Sequence, residues 1–362
     1  MKTVVAACLL LGACSSEENL GDTPRRAYTT LAHTAMQQNY DLQTDGAYVY
    51  WFVESTTGQT PDDSRSTLFR VPKAGGDVER LGVVSSTGPV IRFKIADGYV
   101  YMHRQGDHDI ARIATTGGSI EHLIDAPEET AEVVAIDDTS VYVVEETTHG
   151  DELTRTTLWR APRAGGSRED LFVGFPFLSN FNTVAGTLSW IGSAEDIWIK
   201  APSGSPTQVL PMFGSDASTQ RLATYLVSNA DSLFVFSTRQ GDSQTSYFDT
   251  ALTGYKTADG TTTELGTYSG MTVFAAASTN GVYAGDIQFD PNNPPADPTM
   301  SPPIDIVMYP LDGRGRQLLW TSPAGNNFGY QQFDSDGSAL YWIDQTAGEI
   351  NRTDFDLTSI LQ

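Results

Sequence analysis

LFRVPKAGG at residues 68–76 returns ninety residues later as LWRAPRAGG at residues 158–166. In both copies a Gly-Gly turn precedes a leucine by five residues, Gly76 before Leu81 and Gly166 before Leu171. The same spacing joins Gly118 to Leu123, Ser205 to Leu210, Gly260 to Leu265, Gly313 to Leu318 and Asp356 to Leu361, so seven copies fill the chain. A second marker runs in phase, an aliphatic residue followed by an aromatic one: Val49-Tyr50, Val100-Tyr101, Val141-Tyr142, Leu233-Phe234, Val282-Tyr283 and Leu340-Tyr341. The fourth copy departs, with Leu188-Ser189 before Trp190.

Just upstream of this marker sits a turn pair, such as Asp45-Gly46, Asp97-Gly98, Ala185-Gly186, Asn280-Gly281 and Asp336-Gly337, with Asp138-Thr139 and Asp231-Ser232 as variants. Gly, Asn and Asp tolerate the positive φ of a tight hairpin, so each pair links two antiparallel strands. Each unit then holds four short strands: A before the turn pair, B with the aliphatic-aromatic dyad, C of the Leu-Phe-Arg-Val type, and D beyond the Gly-Gly turn. From Val49 to Leu340 six steps cover 291 residues, 48.5 per step. That period with four strands per unit predicts an all-β, seven-bladed β-propeller of four antiparallel strands per blade. A six-bladed ring with one divergent unit is the alternative. Gln37–Leu42 is expected as strand A of blade one and Thr358–Gln362 as strand D of blade seven, leaving both terminal blades complete and the ring closed by face packing.

The last unit, from Asp336-Gly337 through Leu340-Tyr341-Trp342-Ile343-Asp344 to Gly348-Glu349-Ile350, resembles a blade of the YWTD-type propellers, with Ile343 in place of the threonine. Over residues 35–362 the chain is similar to bacterial propeller lipoproteins, including relatives of the TolB-type propeller. The resemblance implies the fold and leaves the activity open.

At the N-terminus, Lys2 gives a positive start, Val4–Leu11 an apolar run too short to span a bilayer, and Leu11-Gly12-Ala13-Cys14 a boundary. These four residues resemble the lipobox of a bacterial lipoprotein signal, which implies removal of residues 1–13, lipidation of Cys14 and anchoring to a membrane. Ser15 after the cysteine then implies the outer membrane of a Gram-negative cell envelope. Residues 14–30 are polar, with Gly21 and Pro24, and read as a flexible tether ahead of a single propeller domain at 31–362. The chain has two cysteines, Cys8 and Cys14, so lipidation leaves no disulfide and stability must come from the core.

With 45 acidic against 22 basic residues in 362, the formal charge of −23 repels phosphate backbones, which excludes nucleic acid as a partner. Basic residues recur on strand C (Arg70, Arg112, Arg160, Lys200, Lys256, Arg352); they read as packed stems that pair with nearby acids rather than as an anion-binding ring.

Binding chemistry is expected on the face that carries the B-to-C and D-to-A loops. Two neighbouring loops concentrate donors: His103, Asp107, His108 and Asp109 in blade two, and Glu145, His149 and Asp151 in blade three. Imidazoles and carboxylates on adjacent blades have the chemistry to gather zinc, although their spacing matches no zinc signature. The Pro-rich insertion of blade six offers Asp286, Asp290, Asn292, Asn293 and Asp297 to calcium, without the fixed oxygen spacing of a known loop, and its stiffness suits a lid over the channel mouth. No Gly-x-Ser-x-Gly elbow occurs, and His33 and His122 read as structural. Strand A carries mixed polar residues, Gln38, Arg92, Lys94, Glu132, Asn182, Thr224 and Gln332, without a repeated acid. The expected function is a binding or scaffolding module for a protein or glycan partner; the alternative is a metal-assisted hydrolase or lyase acting from the loop face.

Overall fold

A computed structural model describes residues 28–34, 41–56, 64–85, 88, 90, 92–126, 130–149, 152–174, 178–184, 186–192, 196–201, 204–210, 222–240, 248–287, 304–321, 333–344 and 348–354. Seven four-stranded antiparallel sheets follow one another around a ring. In strand order A to D, blade one is Leu42–Thr44, Tyr48–Thr56, Ser64–Pro72 and Glu79–Ser85; blade two is Phe93–Ala96, Tyr99–Arg104, Asp109–Ala114 and Glu121–Asp125. Blade three is Glu132–Ile136, Ser140–His149, Glu152–Pro162 and Glu169–Gly174; blade four is Ser179–Val184, Thr187–Ile191, Ile197–Lys200 and Thr207–Leu210. Blade five is Leu222–Ser228, Ser232–Gln240, Phe248–Lys256 and Thr262–Ser269; blade six is Met271–Ala277, Gly281–Ile287, Ile304–Pro310 and Gln317–Thr321. Blade seven takes its A, B and C strands from Phe333–Ser335, Ala339–Asp344 and Glu349–Asp354, and its D strand from Thr29–His33.

That last strand corrects the expected closure. The fourth strand of blade seven comes from the N-terminus, pairing Thr29 with Arg352 and His33 with Glu349, so the ring is closed by backbone hydrogen bonds and not by face packing alone. Strand A of blade one begins at Leu42, and the expected D strand at Thr358–Gln362 lies outside the described residues. Thr29 and Thr30, assigned from sequence to the tether, belong to this strand.

The core is a ring of seven hydrophobic layers, one between each pair of neighbouring blades. The aliphatic-aromatic dyad builds them, because successive strand residues point to opposite faces. Val49 packs toward blade seven and Tyr50 toward blade two; Val100 packs toward blade one and Tyr101 toward blade three. In blade four Leu188 and Trp190 both face blade three, and Ser189 between them is buried with its hydroxyl donating to the Asn182 carbonyl (3.3 Å).

The A–B hairpins fall into two classes. Blade two turns through two residues, Asp97-Gly98, and in blade four Val184 pairs with Thr187 across an equally short connection. The others turn through four, and there the first residue of the loop organises the turn. Asp45 accepts from the Ala47 and Tyr48 amides (2.7 Å each) and from the Tyr50 hydroxyl (2.7 Å). Asp137 and Asp336 repeat this with Tyr142 and Tyr341. In blades three and five the organising residue is therefore Asp137 or Asn229, one or two positions before the pair expected from sequence.

LFRVPKAGG is an inter-blade latch. Arg70 is held by Glu79 on its own strand D (2.6 Å), lies over the Tyr48 ring, and donates to the Thr115 carbonyl in the C–D turn of blade two (2.7 Å). Arg112 repeats the arrangement with Glu121, Tyr99 and the Arg163 carbonyl, and Arg352 reaches the Lys73 carbonyl. Lys73 reaches the other way, donating to Asp336 in the A–B hairpin of blade seven (2.7 Å). In LWRAPRAGG, Arg163 likewise reaches back to Asp97 of blade two. The strand C arginines Arg70, Arg112, Arg160 and Arg352 are thus packed stems with local acidic partners, whereas Lys200 donates to the Ala201 carbonyl (3.1 Å) and Lys256 is exposed.

Candidate functional site

The A strands line the central channel and have a free edge, so their inner amides and carbonyls lack a ladder partner. Side chains from adjacent blades supply it. Asp334 of blade seven accepts from the Thr44 amide of blade one (2.6 Å), and Asp41 of blade one accepts from the Phe93 amide of blade two (3.2 Å). Thr183 of blade four donates to the Ile136 carbonyl of blade three (3.0 Å). Asn180 and Asn182 donate to the Thr224 and Leu226 carbonyls of blade five (3.3 and 2.7 Å), and the Tyr225 hydroxyl donates to the Val273 carbonyl of blade six. Much of the polar character of strand A is therefore spent on capping neighbouring edges.

Within this frame lies a cavity of about 330 Å³, bounded by Asp41 of blade one, Arg92 and Lys94 of blade two, Val134 of blade three, and residues 179–182 and 224–226 of blades four and five. Asp41 and Arg92 stand just before their A strands, Lys94 and residues 179–182 fall early in theirs, and Val134 and residues 224–226 fall at the middle, so the cavity reaches from the loop-face end of the channel to its mid-depth. Asp41 is 6% exposed; burial pushes its carboxyl up to about 6, against the lowering pull of Lys94, the Phe93 amide and Arg92. Asp334 is also raised by burial, partly offset by its bonds from Thr44. Arg92 is paired with Glu132 (3.2 Å).

Of the polar strand A residues picked out by sequence, Arg92, Lys94, Asn182 and Thr224 line the cavity and Glu132 supports Arg92. Gln38 and Gln332 lie outside the described residues. Asp41, Ser179 and Asn180 line it too and were missed, because each sits at a strand start that the dyad and turn markers do not locate.

The candidate loop residues are dispersed. His103 is buried on strand B of blade two, where burial pushes its imidazole down to about 4 and its Nε2 has no hydrogen-bond partner among the described residues. Asp107 pairs with Arg104 (3.0 Å), and His108 is an exposed left-handed residue with φ 53°. Asp109 is 3% exposed and saturated by Arg104 (2.6 and 2.8 Å) and His122 (2.8 Å). Glu145 is buried against Arg168 (2.6 Å). His149 ends strand B of blade three, while its side chain and all of Asp151 lie outside the described residues.

Asp286 is not on a loop: it is fully buried on strand B of blade six, accepting from Thr272 (3.1 Å), Tyr309 (3.0 Å) and Arg316 (3.2 Å). Burial raises its carboxyl against the lowering effect of Tyr268, Arg316 and Tyr309. Asp290, Asn292, Asn293, Asp297 and Cys14 lie outside the described residues. Among the described residues, no three His, Cys, Asp or Glu side chains converge as a metal site.

No protein-family model matches the chain, and no curated protein matches it in sequence. Solved structures do resemble it. YCF48 bound to D1 peptide aligns over 93% of this chain and 97% of that one, at 12% identity and a TM-score of 0.58. The β-propeller domain of the Trilobed protease from Pyrococcus furiosus, described as having an open velcro topology, aligns over 90% and 97%, at 11% identity and a TM-score of 0.57. At such identities the likeness concerns architecture, and with the seven sheets above it makes the chain a seven-bladed β-propeller.

Proposed function

We propose that the chain is a lipid-anchored β-propeller of the cell envelope, attached through Cys14 to the outer membrane of a Gram-negative bacterium, that acts as a binding or scaffolding module for a protein or glycan partner. The observation that carries this reading is the polar cavity of about 330 Å³ that reaches from the loop-face end of the channel to its mid-depth, within the size range of small-ligand sites and built from five blades. Chain direction supports it. Strand D of blade seven runs from the hairpin face at Thr29 toward the loop face at His33, so an anchor ahead of Thr29 would hold the ring from its hairpin face. An anchored ring held from that side presents its cavity to partners. YCF48, of the same architecture, has been solved with a peptide bound, which makes a peptide an apt first partner to test.

The test has two arms. Incorporation of a radiolabelled fatty acid should be abolished by Cys14→Ser. Photo-cross-linkers placed at Ser179 on the loop face and at Gly46 on the hairpin face should give a discrete adduct from the first alone in envelope preparations. Labelling that survives Cys14→Ser removes the anchor, and equal adducts from both faces remove the loop-face module.

A further inference from the structure

We propose that the channel cavity is a carboxylate-binding site in which Lys94 and Arg92 take the anionic group of the ligand, an inference that rests on the binding reading above. The argument is a ledger of which polar groups in the cavity wall are already committed. Asp41 directs Oδ1 to the Leu42 amide (2.9 Å) and the Gln43 side-chain amide (3.4 Å), and Oδ2 to the Phe93 amide (3.2 Å). The amide groups of Asn180 and Asn182 are donated to the edge of blade five. The acceptors and neutral donors of the wall are thus largely engaged in holding the blades together.

The cations are not. The Lys94 ammonium makes no hydrogen bond or close ion pair among the described residues and acts on Asp41 and Asp334 only at longer range, while Arg92 is ion-paired with Glu132 at Nε (3.2 Å) and acts at longer range on Asp41 and Glu146. Lys94 and Arg92 stand two positions apart along extended backbone, so they project from the same side, roughly 7 Å apart at their Cα atoms. What the cavity offers a ligand is therefore an ammonium and the unused edge of a guanidinium. A planar carboxylate matches that pair, since a guanidinium fork and a point cation can each take one of its oxygens. The cavity lining carries two cations and one carboxylate, Asp41, with Glu132, Glu146 and Asp334 within electrostatic reach of those cations, so what the wall offers an anion is the cations' unused hydrogen-bond donors and not a net positive field. The volume of about 330 Å³ limits the ligand to a sugar, a short acid or a chain end.

The experiment is calorimetric titration of the full chain with N-acetylglycine and with D-glucuronate, each beside its neutral amide. Saturable binding of at least one acid is expected, with a loss of tenfold or more for its amide. Lys94→Met should reduce acid affinity by about tenfold, and Lys94→Arg should retain it, with unchanged thermal unfolding showing that both variants are folded. Preference for N-acetylglycine identifies a peptide carboxylate, and preference for glucuronate an acidic sugar. Equal binding of acid and amide overturns the carboxylate assignment and leaves the cavity a binding site. No binding of any probe also overturns the assignment, and the loop-face module then depends on the cross-linking result.

Discussion

Two glycines with the same conformation separate backbone strain from inter-blade fit. Gly75 and Gly165 occupy equivalent places in the two copies of the turn, with φ of 82° and 84°. A Cβ on Gly75 meets nothing within 4 Å, whereas one on Gly165 falls 2.9 Å from the Leu123 carbonyl oxygen of blade two. Gly75→Ala should cost only the left-handed penalty, about 1–2 kcal/mol. Gly165→Ala must also push two blades apart and should cost about 2 kcal/mol more, which urea unfolding of the two variants side by side will measure. The latch itself is tested at Lys73 and Asp336. Burial alone would raise the Asp336 carboxyl, but bonds from Lys73, Ser338 and Tyr341 outweigh it and hold the group below the usual carboxylate range. Its stabilising contribution is full above the unfolded value of 3.8 and is lost as pH falls through the depressed folded value. Asp336→Asn should therefore destabilise at pH 7 and make little difference at the lowest pH where the ring stays folded, and a double-mutant cycle with Lys73→Met should show coupling of about 0.5–3 kcal/mol.

Among the elements, the closing strand is the one that sequence periodicity could not find. Strands A, B and C announce themselves because hairpins are local: a turn pair, a dyad and a Gly-Gly turn recur within one unit. Thr29–His33 is five residues long, carries no turn marker and pairs with residues more than 300 positions away, so nothing in its own neighbourhood reports its partner. The Asp356–Leu361 spacing completed the count of seven but misassigned the strand, since the D position of blade seven belongs to the N-terminus. The cavity was half legible for a related reason. Arg92, Lys94, Asn182 and Thr224 follow from the phase of strand A, but whether a polar side chain caps a neighbouring edge or faces open space depends on the next blade. The strand's role gives a direct prediction. Leu31 is 7% exposed in the layer between blades seven and one, and Leu31→Ala should cost about 2–5 kcal/mol by cavity formation. Removal of residues 1–33 should cost far more than removal of 1–27, seen as a fall in the unfolding midpoint and as early hydrogen exchange at Glu349–Asp354, the strand left as an edge.

At the scale of the whole molecule, the dependence of stability on pH is set partly by two buried groups that act in opposite directions. Asp41, in the cavity wall, is pushed up to about 6 from an unfolded value of 3.8, with burial outweighing Lys94, the Phe93 amide and Arg92. The folded state holds that proton more tightly, so the contribution is full at low pH and is lost as pH rises through about 6. His103, between blades two and three, is pushed down to about 4 from 6.5, with burial outweighing the nearby backbone and Asp109. Its contribution is full above 6.5 and is lost as pH falls through about 4. Each is worth about 3 kcal/mol across its window, and the windows overlap, so in the native chain the two slopes largely cancel. Substitution should uncover them one at a time. Relative to the native chain, Asp41→Asn should gain stability as pH rises from 4 to 6.5, because the opposing loss has been removed. His103→Leu should lose stability relative to the native chain over the same rise. Both variants keep the side-chain volume close to the original, and comparing each with the native profile cancels the carboxylates common to all three chains. Urea unfolding at half-unit steps between pH 4 and 7 reads both differences. Parallel profiles for all three chains would mean that water reaches these groups, and that neither the channel wall at Asp41 nor the interface at His103 is as dry as the packing of the ring makes it.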